Sequence, residues 1–204
     1  MQYLVLAIFW IVWCVLHSAM ISTPVTGYLK RRFGSSFRFY RLVFNMVALA
    51  TFIPIVLYER SIETEWAFWW QGYMVVLQAL LLTGAFLYFF AGAMHYDFLQ
   101  FLGIRQIRDG VSRKTLAEGG DIDVTGVLGF IRHPWYAGAI MVVWSRGLTV
   151  PTLITNIVLT VYLIVGTYLE EGKLVMEYGD RYRLYQDKVS MFIPYKFLKS
   201  KIRK

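Results

Sequence analysis

Five apolar runs leave this chain few ways to fold. Tyr3 to Ile21, Leu42 to Tyr58, Trp66 to Met94, Trp135 to Val150 and Thr152 to Leu169 contain a single Lys, Arg, Asp or Glu between them, Arg146. A helix needs about 20 apolar residues to cross the hydrocarbon core of a bilayer. Only 17% of the chain is charged, against about a quarter in soluble domains. The pattern predicts an all-α fold: a polytopic membrane protein of about five transmembrane helices, with a cytosolic amphipathic helix near the C-terminus.

The residues between the runs set the expected organisation. No Lys or Arg precedes Tyr3 and no small-residue cleavage site stands out, so the first run is expected to be a retained span rather than a signal peptide. Ser22-Thr23-Pro24 ends it, and Lys30, Arg31, Arg32, Arg38 and Arg41 crowd the following loop. Pro54 is expected to kink the second span. Trp66-Ala67-Phe68-Trp69-Trp70 opens the third as an interfacial aromatic belt. His95 to Ile131 is the longest polar segment, carrying Asp97, Arg105, Gln106, Arg108, Asp109, Arg113, Lys114, Glu118, Asp121 and Asp123; long segments of this kind are functional or disordered. Pro151 marks the turn between the last two spans. One helix is expected from Glu170 to Val189, because Leu174, Tyr178, Tyr182, Tyr185 and Val189 recur at spacings of 4, 4, 3 and 4. The tail Met191 to Lys204 alternates apolar and basic residues, a membrane-surface pattern. A single domain over 1–204 is expected, with three spans in 1–94 and a loop, hairpin and tail in 95–204.

Nineteen of the 21 Lys and Arg fall in the first loop, the third loop and the tail. Five spans put those three regions on one face. The positive-inside rule makes that face cytosolic and places the N-terminus outside. The net charge of +8 thus follows the membrane faces and does not call for nucleic acid. The lone Cys14 excludes an intramolecular disulfide and a cysteine metal cluster, and no metal is expected.

Taking Pro151 as the top of a helical hairpin, His133 lies 18 residues before it and Glu171 20 after. At 1.5 Å per residue both sit roughly 27–30 Å below the turn. Arg132, His133, Glu170 and Glu171 are therefore expected at one depth, at the cytosolic edge. His17, Asn45 and His95 are expected near the same level. Ionisable groups in such surroundings are functional candidates by default. Pro134 suits the first position of a helix, whose N-terminus with Arg132 beside it suits a carboxylate. Glu170 or Glu171 suits an ammonium, and Trp135, Tyr136 or Tyr168 a base or a cation. S-adenosylmethionine carries carboxylate, ammonium, adenine and sulfonium together.

Thr125-Gly126-x-x-Gly129-x-x-Arg132-His133-Pro134-x-Tyr136-x-Gly138, then Glu170-Glu171, then Tyr178-Gly179-x-x-Tyr182-x-x-Tyr185, resemble the C-terminal signature of the isoprenylcysteine carboxyl methyltransferase and phospholipid methyltransferase superfamily. The match covers roughly the last 80 residues. His17-Ser18 and Asp97-x-x-x-x-Leu102-Gly103-Ile104-Arg105-Gln106 more narrowly resemble the bacterial methanethiol S-methyltransferase branch, and also membrane proteins of a nitric-oxide regulon. The resemblance implies an integral protein of the bacterial inner membrane with its active site facing the cytosol. It implies a methyl donor, S-adenosylmethionine, held by Gly126, Gly129, Arg132, His133, Tyr136, Glu170, Glu171 and Tyr182, and an acceptor entering among the N-terminal spans.

A thiol acceptor must lose its proton, since the thiolate is the nucleophile, and a histidine can take it. His17 and His95 are the candidates outside the expected donor site, with Arg105 beside them as a catalytic candidate and Asn45 and Gln106 as acceptor contacts. Each has a plainer reading. His17 and Asn45 also read as bonds between helices, Arg132 as a positive-inside anchor, Glu170-Glu171 as a solvated helix end, and Arg105-Gln106 as loop caps. The competing functions are methylation of a small or lipophilic thiol, of a prenylcysteine carboxylate or of a phospholipid amine, and a non-catalytic membrane binding or assembly protein on the same fold. Membrane lipids are the other expected partners.

Overall fold

The computed structural model describes residues 1–95, 98–109 and 124–202. Asp97, Arg113, Lys114, Glu118, Asp121 and Asp123 of the polar segment lie outside the described residues. The protein is an all-helical, polytopic membrane protein, with no strand among the described residues. Its helices are α1 (Gln2–Ile21), α2 (Thr23–Phe33), α3 (Tyr40–Ser61), α4 (Met74–His95), α5 (Phe98–Leu102), α6 (Ile104–Asp109), α7 (Pro134–Trp144), α8 (Val150–Tyr178), α9 (Asp180–Lys188) and α10 (Tyr195–Ile202). They divide into two compact units built from interleaved segments. One comprises Met1–Trp69, Asp97–Arg113 and Gly147–Leu159, the other Trp70–Tyr96, Lys114–Arg146 and Thr160–Lys204.

Four stretches are long and apolar enough to cross a membrane: α1, the stretch holding α3, α4 and α8. Leu4, Val12 and Val15 on α1, and Phe86, Leu87 and Phe90 on α4, are exposed, as expected of helices whose apolar outer sides meet lipid. The expected fourth span is shorter than the sequence implies. α7 has 11 residues, about 16 Å at 1.5 Å per residue, and cannot cross alone. It stops at Ser145-Arg146-Gly147, where Ser145 Oγ donates to Val142 O at 2.7 Å. α8 has 29 residues, about 43 Å. That exceeds the roughly 30 Å of the hydrocarbon core.

Two further expectations are corrected. The basic loop after α1 is largely helical: Pro24 sits in the first turn of α2, where a proline costs no helical hydrogen bond. The belt Trp66–Trp70 is not helical. Ala67 N and Phe68 N donate to Leu148 O at 2.8 and 3.0 Å, and Leu148 N donates back to Phe68 O at 2.8 Å.

In the first unit α1 packs on α3 through Leu6, Trp10, Ile55 and Ile62, all buried. Trp13 Nε1 donates to Ala48 O at 3.1 Å. The start of α3 holds α5: Asn45 Nδ2 donates to Phe101 O and Leu102 O at 3.1 and 3.2 Å, and Arg41 Nε to Phe101 O at 3.2 Å. In the second unit α4 packs closely on α7. Trp135 Nε1 donates to Phe89 O at 3.2 Å, and an added Cβ on Gly92 would collide with the Trp135 ring, the close approach that small residues allow between membrane helices.

The single helix expected from Glu170 to Val189 is broken at Gly179, whose φ is +59°. That backbone suits glycine, and it separates α9 from α8. The apolar stripe survives the break: Tyr182, Tyr185 and Val189 of the α9 region are buried against Leu174, Val175 and Tyr178 of α8.

Candidate functional site

The second unit gathers the Arg-His-Pro motif, the glutamate pair and the tyrosines of α9. The entry to α7 is set first. Ile131 and Ser190 form a parallel bridge, in which Arg132 N donates to Ser190 O at 2.9 Å and His133 N to Met191 O at 3.2 Å. With that backbone held, His133 caps α7 and Pro134 is its first residue. Tyr136 stacks on the His133 ring at 5.6 Å between centroids and 7° between planes.

Arg132 and Glu171 are taken up by each other. Arg132 Nε donates to Glu171 Oε1 at 2.6 Å and Nη2 to Oε2 at 3.2 Å, a two-pronged pair of the strong kind. Both residues are buried, at 8% and 4% exposure. Burying charge is costly unless every polar atom is met, and here the surroundings meet them. Arg132 Nη1 donates to Gln186 O at 3.1 Å and also to Val189 O. Glu171 receives Gln186 Nε2 at 2.8 Å, His133 Nε2 at 3.0 Å and, more weakly, Tyr182 OH at 3.5 Å. Burial, and after it the charge of Glu171, pushes the Tyr182 phenol well above its ordinary pKa, so Tyr182 keeps the proton it directs at Glu171.

Glu170 is different. Its side chain is 44% exposed where that of Glu171 is 5%, and its Oε2 lies 3.8 Å from His133 Nδ1. With His133 Nε2 directed at Glu171, its Nδ1 faces the Glu170 carboxylate. Glu170 Oε2 and His133 Nδ1 thus stand side by side, with the carboxylate at the exposed edge of the network.

Tyr185 OH donates to Leu128 O at 2.7 Å and fixes the 3₁₀ turn Gly126–Gly129. His95, at the end of α4, packs on this turn. Gly126 has φ +53°, and a Cβ there would run into His95 Nε2. Gly126→Ala is expected to cost about 1–2 kcal/mol for the left-handed backbone alone and to push the imidazole aside. Thermal unfolding in detergent and the His95 ring resonances check both effects.

The other sequence candidates belong to the first unit. His17 stacks on Trp13 at 4.9 Å and lies 4.7 Å from Phe44. Asn45 spends its amide protons on the α5 carbonyls. Arg105 and Gln106 lie on α6, half-buried, and Gln106 Oε1 is buried with no hydrogen-bond partner among the described residues. Two buried polar contacts, one in each unit, are not singled out by the sequence. Gln186, four residues after Tyr182, braces both Glu171 and Arg132; its place beside the tyrosine stripe was the available signal. Glu59, at the end of α3, is buried and accepts from Thr155 Oγ1. In sequence it reads as part of an acidic loop.

Among known proteins, the chain is 31% identical over 126 residues to a methanethiol S-methyltransferase of Pseudomonas deceptionensis, covering 61% of this chain and 43% of that one. It is 29% identical over 148 residues to one from Pseudomonas sp. strain GM41(2012), covering 69% and 52%. It is 43% identical over 68 residues to methanethiol S-methyltransferase 1 of Bradyrhizobium diazoefficiens, covering 33% and 24%. The chain thus spans about half the length or less of these relatives. No family model matches it. No solved structure matches it.

Proposed function

We propose that this chain is a membrane methyltransferase of the isoprenylcysteine carboxyl methyltransferase-like kind, which uses S-adenosylmethionine to methylate a small or lipophilic thiol at the cytosolic face of a bacterial inner membrane. The observation that carries the reading is the exposed Glu170 carboxylate, 3.8 Å from His133 Nδ1 at the edge of the buried network. An ammonium placed there meets a carboxylate that no other cation of the network holds closely. The similarity to methanethiol S-methyltransferases supports methyl transfer to sulfur.

The residues of the second unit fit this donor. Glu170 and His133 take its ammonium, the amino-terminal end of α7 its carboxylate, and Tyr136 offers a ring face. Arg132, Glu171, Tyr182 and Gln186 hold these groups in place, and Gly126 and Gly129 shape the turn beside them. The cofactor supplies an electrophilic methyl group on a sulfonium sulfur. Rate then depends on alignment, which a rigid network provides. A histidine accepts the thiol proton; His17 is the first choice and His95 the second, with Asn45, Arg105 and Gln106 assigned to the acceptor on chemical type.

The test is to incubate the purified protein in detergent with methyl-labelled S-adenosylmethionine and separate panels of thiols, prenylcysteines and phospholipids. Label on a thiol is the expected result. Label on a carboxylate or a lipid amine, or binding without turnover on any acceptor, overturns the thiol assignment. pH–rate profiles of His17→Ala and His95→Ala identify the base, and two unchanged profiles remove histidine from that role.

A further inference from the structure

An open groove of about 1310 Å³ runs between α9 and α10 in the second unit. Its walls carry Arg181, Lys188, Lys196 and Lys199 against one carboxylate among the described residues, Asp187. Two of its features are built rather than incidental. Lys196 Nζ is anchored to Gln186 O at 2.6 Å, and Lys196 N donates to Ser190 Oγ at 3.0 Å, so one cation is held at the groove wall by the residues that brace the candidate site. Phe197 packs on Phe130 at 4.4 Å between centroids, which seats α10 beside the groove. Along α10 the residues Tyr195, Leu198 and Ile202 share one side, and all three are exposed together with Ile193.

We propose that this groove binds the headgroup of an anionic phospholipid while the exposed side of α10 enters the same leaflet. The sign of the charge decides the class of ligand. S-adenosylmethionine carries an ammonium and a sulfonium against one carboxylate and is repelled by four cations, whereas a phosphodiester is attracted. The apolar side of α10 decides the source of that phosphate. An amphipathic helix with lysines beside exposed apolar residues is satisfied by a negatively charged membrane surface. A nucleic acid would leave Ile193, Leu198 and Ile202 in water. The chain also stands in a membrane through its four long apolar stretches, which supplies the lipid at high local concentration.

The test measures lipid retention by native mass spectrometry. The full chain is released from nanodiscs containing equal phosphatidylglycerol and phosphatidylcholine. The wild type is expected to retain phosphatidylglycerol in preference by about tenfold, each basic residue near the surface adding to the attraction. Lys188→Gln/Lys196→Gln/Lys199→Gln should remove the preference, and Lys30→Gln/Arg31→Gln/Arg32→Gln on α2 should keep it. Lys188→Gln/Lys199→Gln leaves the Lys196 hydrogen bonds intact and carries the test if the triple variant does not fold; it should lose most of the preference. Retention unchanged in both groove variants, loss only in the α2 variant, or equal displacement by inorganic phosphate overturns the proposal. None of these outcomes depends on methyl transfer.

Discussion

Glu171→Ala is expected to lower the stability of the detergent-solubilised protein by about 3–5 kcal/mol and with it to abolish methyl-donor binding. The reason is the company Glu171 keeps. It is the partner of a buried arginine through two hydrogen bonds, and it also takes protons from His133 and Gln186. Truncation leaves the Arg132 guanidinium in a buried place with no counter-charge, and leaves two further donors unmet. A buried pair of this kind adds little net stability over well-packed apolar residues, but breaking it from one side is costly.

That asymmetry makes a sharper measurement available. Arg132→Leu/Glu171→Leu removes the unpaired charge together with its partner. The double variant should lose less than the two single variants combined, with a coupling of about 0.5–3 kcal/mol in the thermodynamic cycle. Chemical unfolding in detergent measures all four species. Additive losses would mean that the two side chains act independently, which their 2.6 Å contact does not allow.

Much of this is legible in the sequence. Long apolar runs carry their own address, and the first two spans, expected at Tyr3–Ile21 and Leu42–Tyr58, lie in α1 and α3 within a few residues. The meeting of Arg132 and His133 with the glutamates was also legible, because chain length on either side of Pro151 limits which residues can share a depth. The details resisted for physical reasons. Two adjacent glutamates look alike in sequence. Which one turns inward depends on the phase of α8 and on where α9 folds back, and that in turn depends on one residue, Gly179. A periodic stripe running through Gly179 gives no warning of the break, since spacings of 4, 4, 3 and 4 describe a continuous helix as well as a broken one. The bridge between Ile131 and Ser190 joins residues 59 apart, and no local pattern announces it. The shortness of α7 follows from Ser145-Arg146-Gly147, a weak interruption beside a proline that draws attention to the later turn.

The inward and outward glutamates make the second expectation the complement of the first. Glu170→Ala should leave stability within about 0.5 kcal/mol of the wild type, as substitutions of partly exposed side chains usually do, and should weaken S-adenosylmethionine binding by about 10- to 100-fold, the value of a hydrogen bond to a charged group. Glu170→Gln keeps an acceptor oxygen but not the charge and should fall between. Isothermal titration with S-adenosylmethionine and with S-adenosylhomocysteine, which shares the ammonium but not the sulfonium, separates two roles for the carboxylate. Equal losses with both ligands place Glu170 at the ammonium, beside His133 Nδ1. A loss confined to S-adenosylmethionine places it at the sulfonium. Unchanged affinity for both sinks the proposed donor site, because Glu171 and Arg132 are already committed to each other and Glu170 is the carboxylate of the pair that remains open to a ligand.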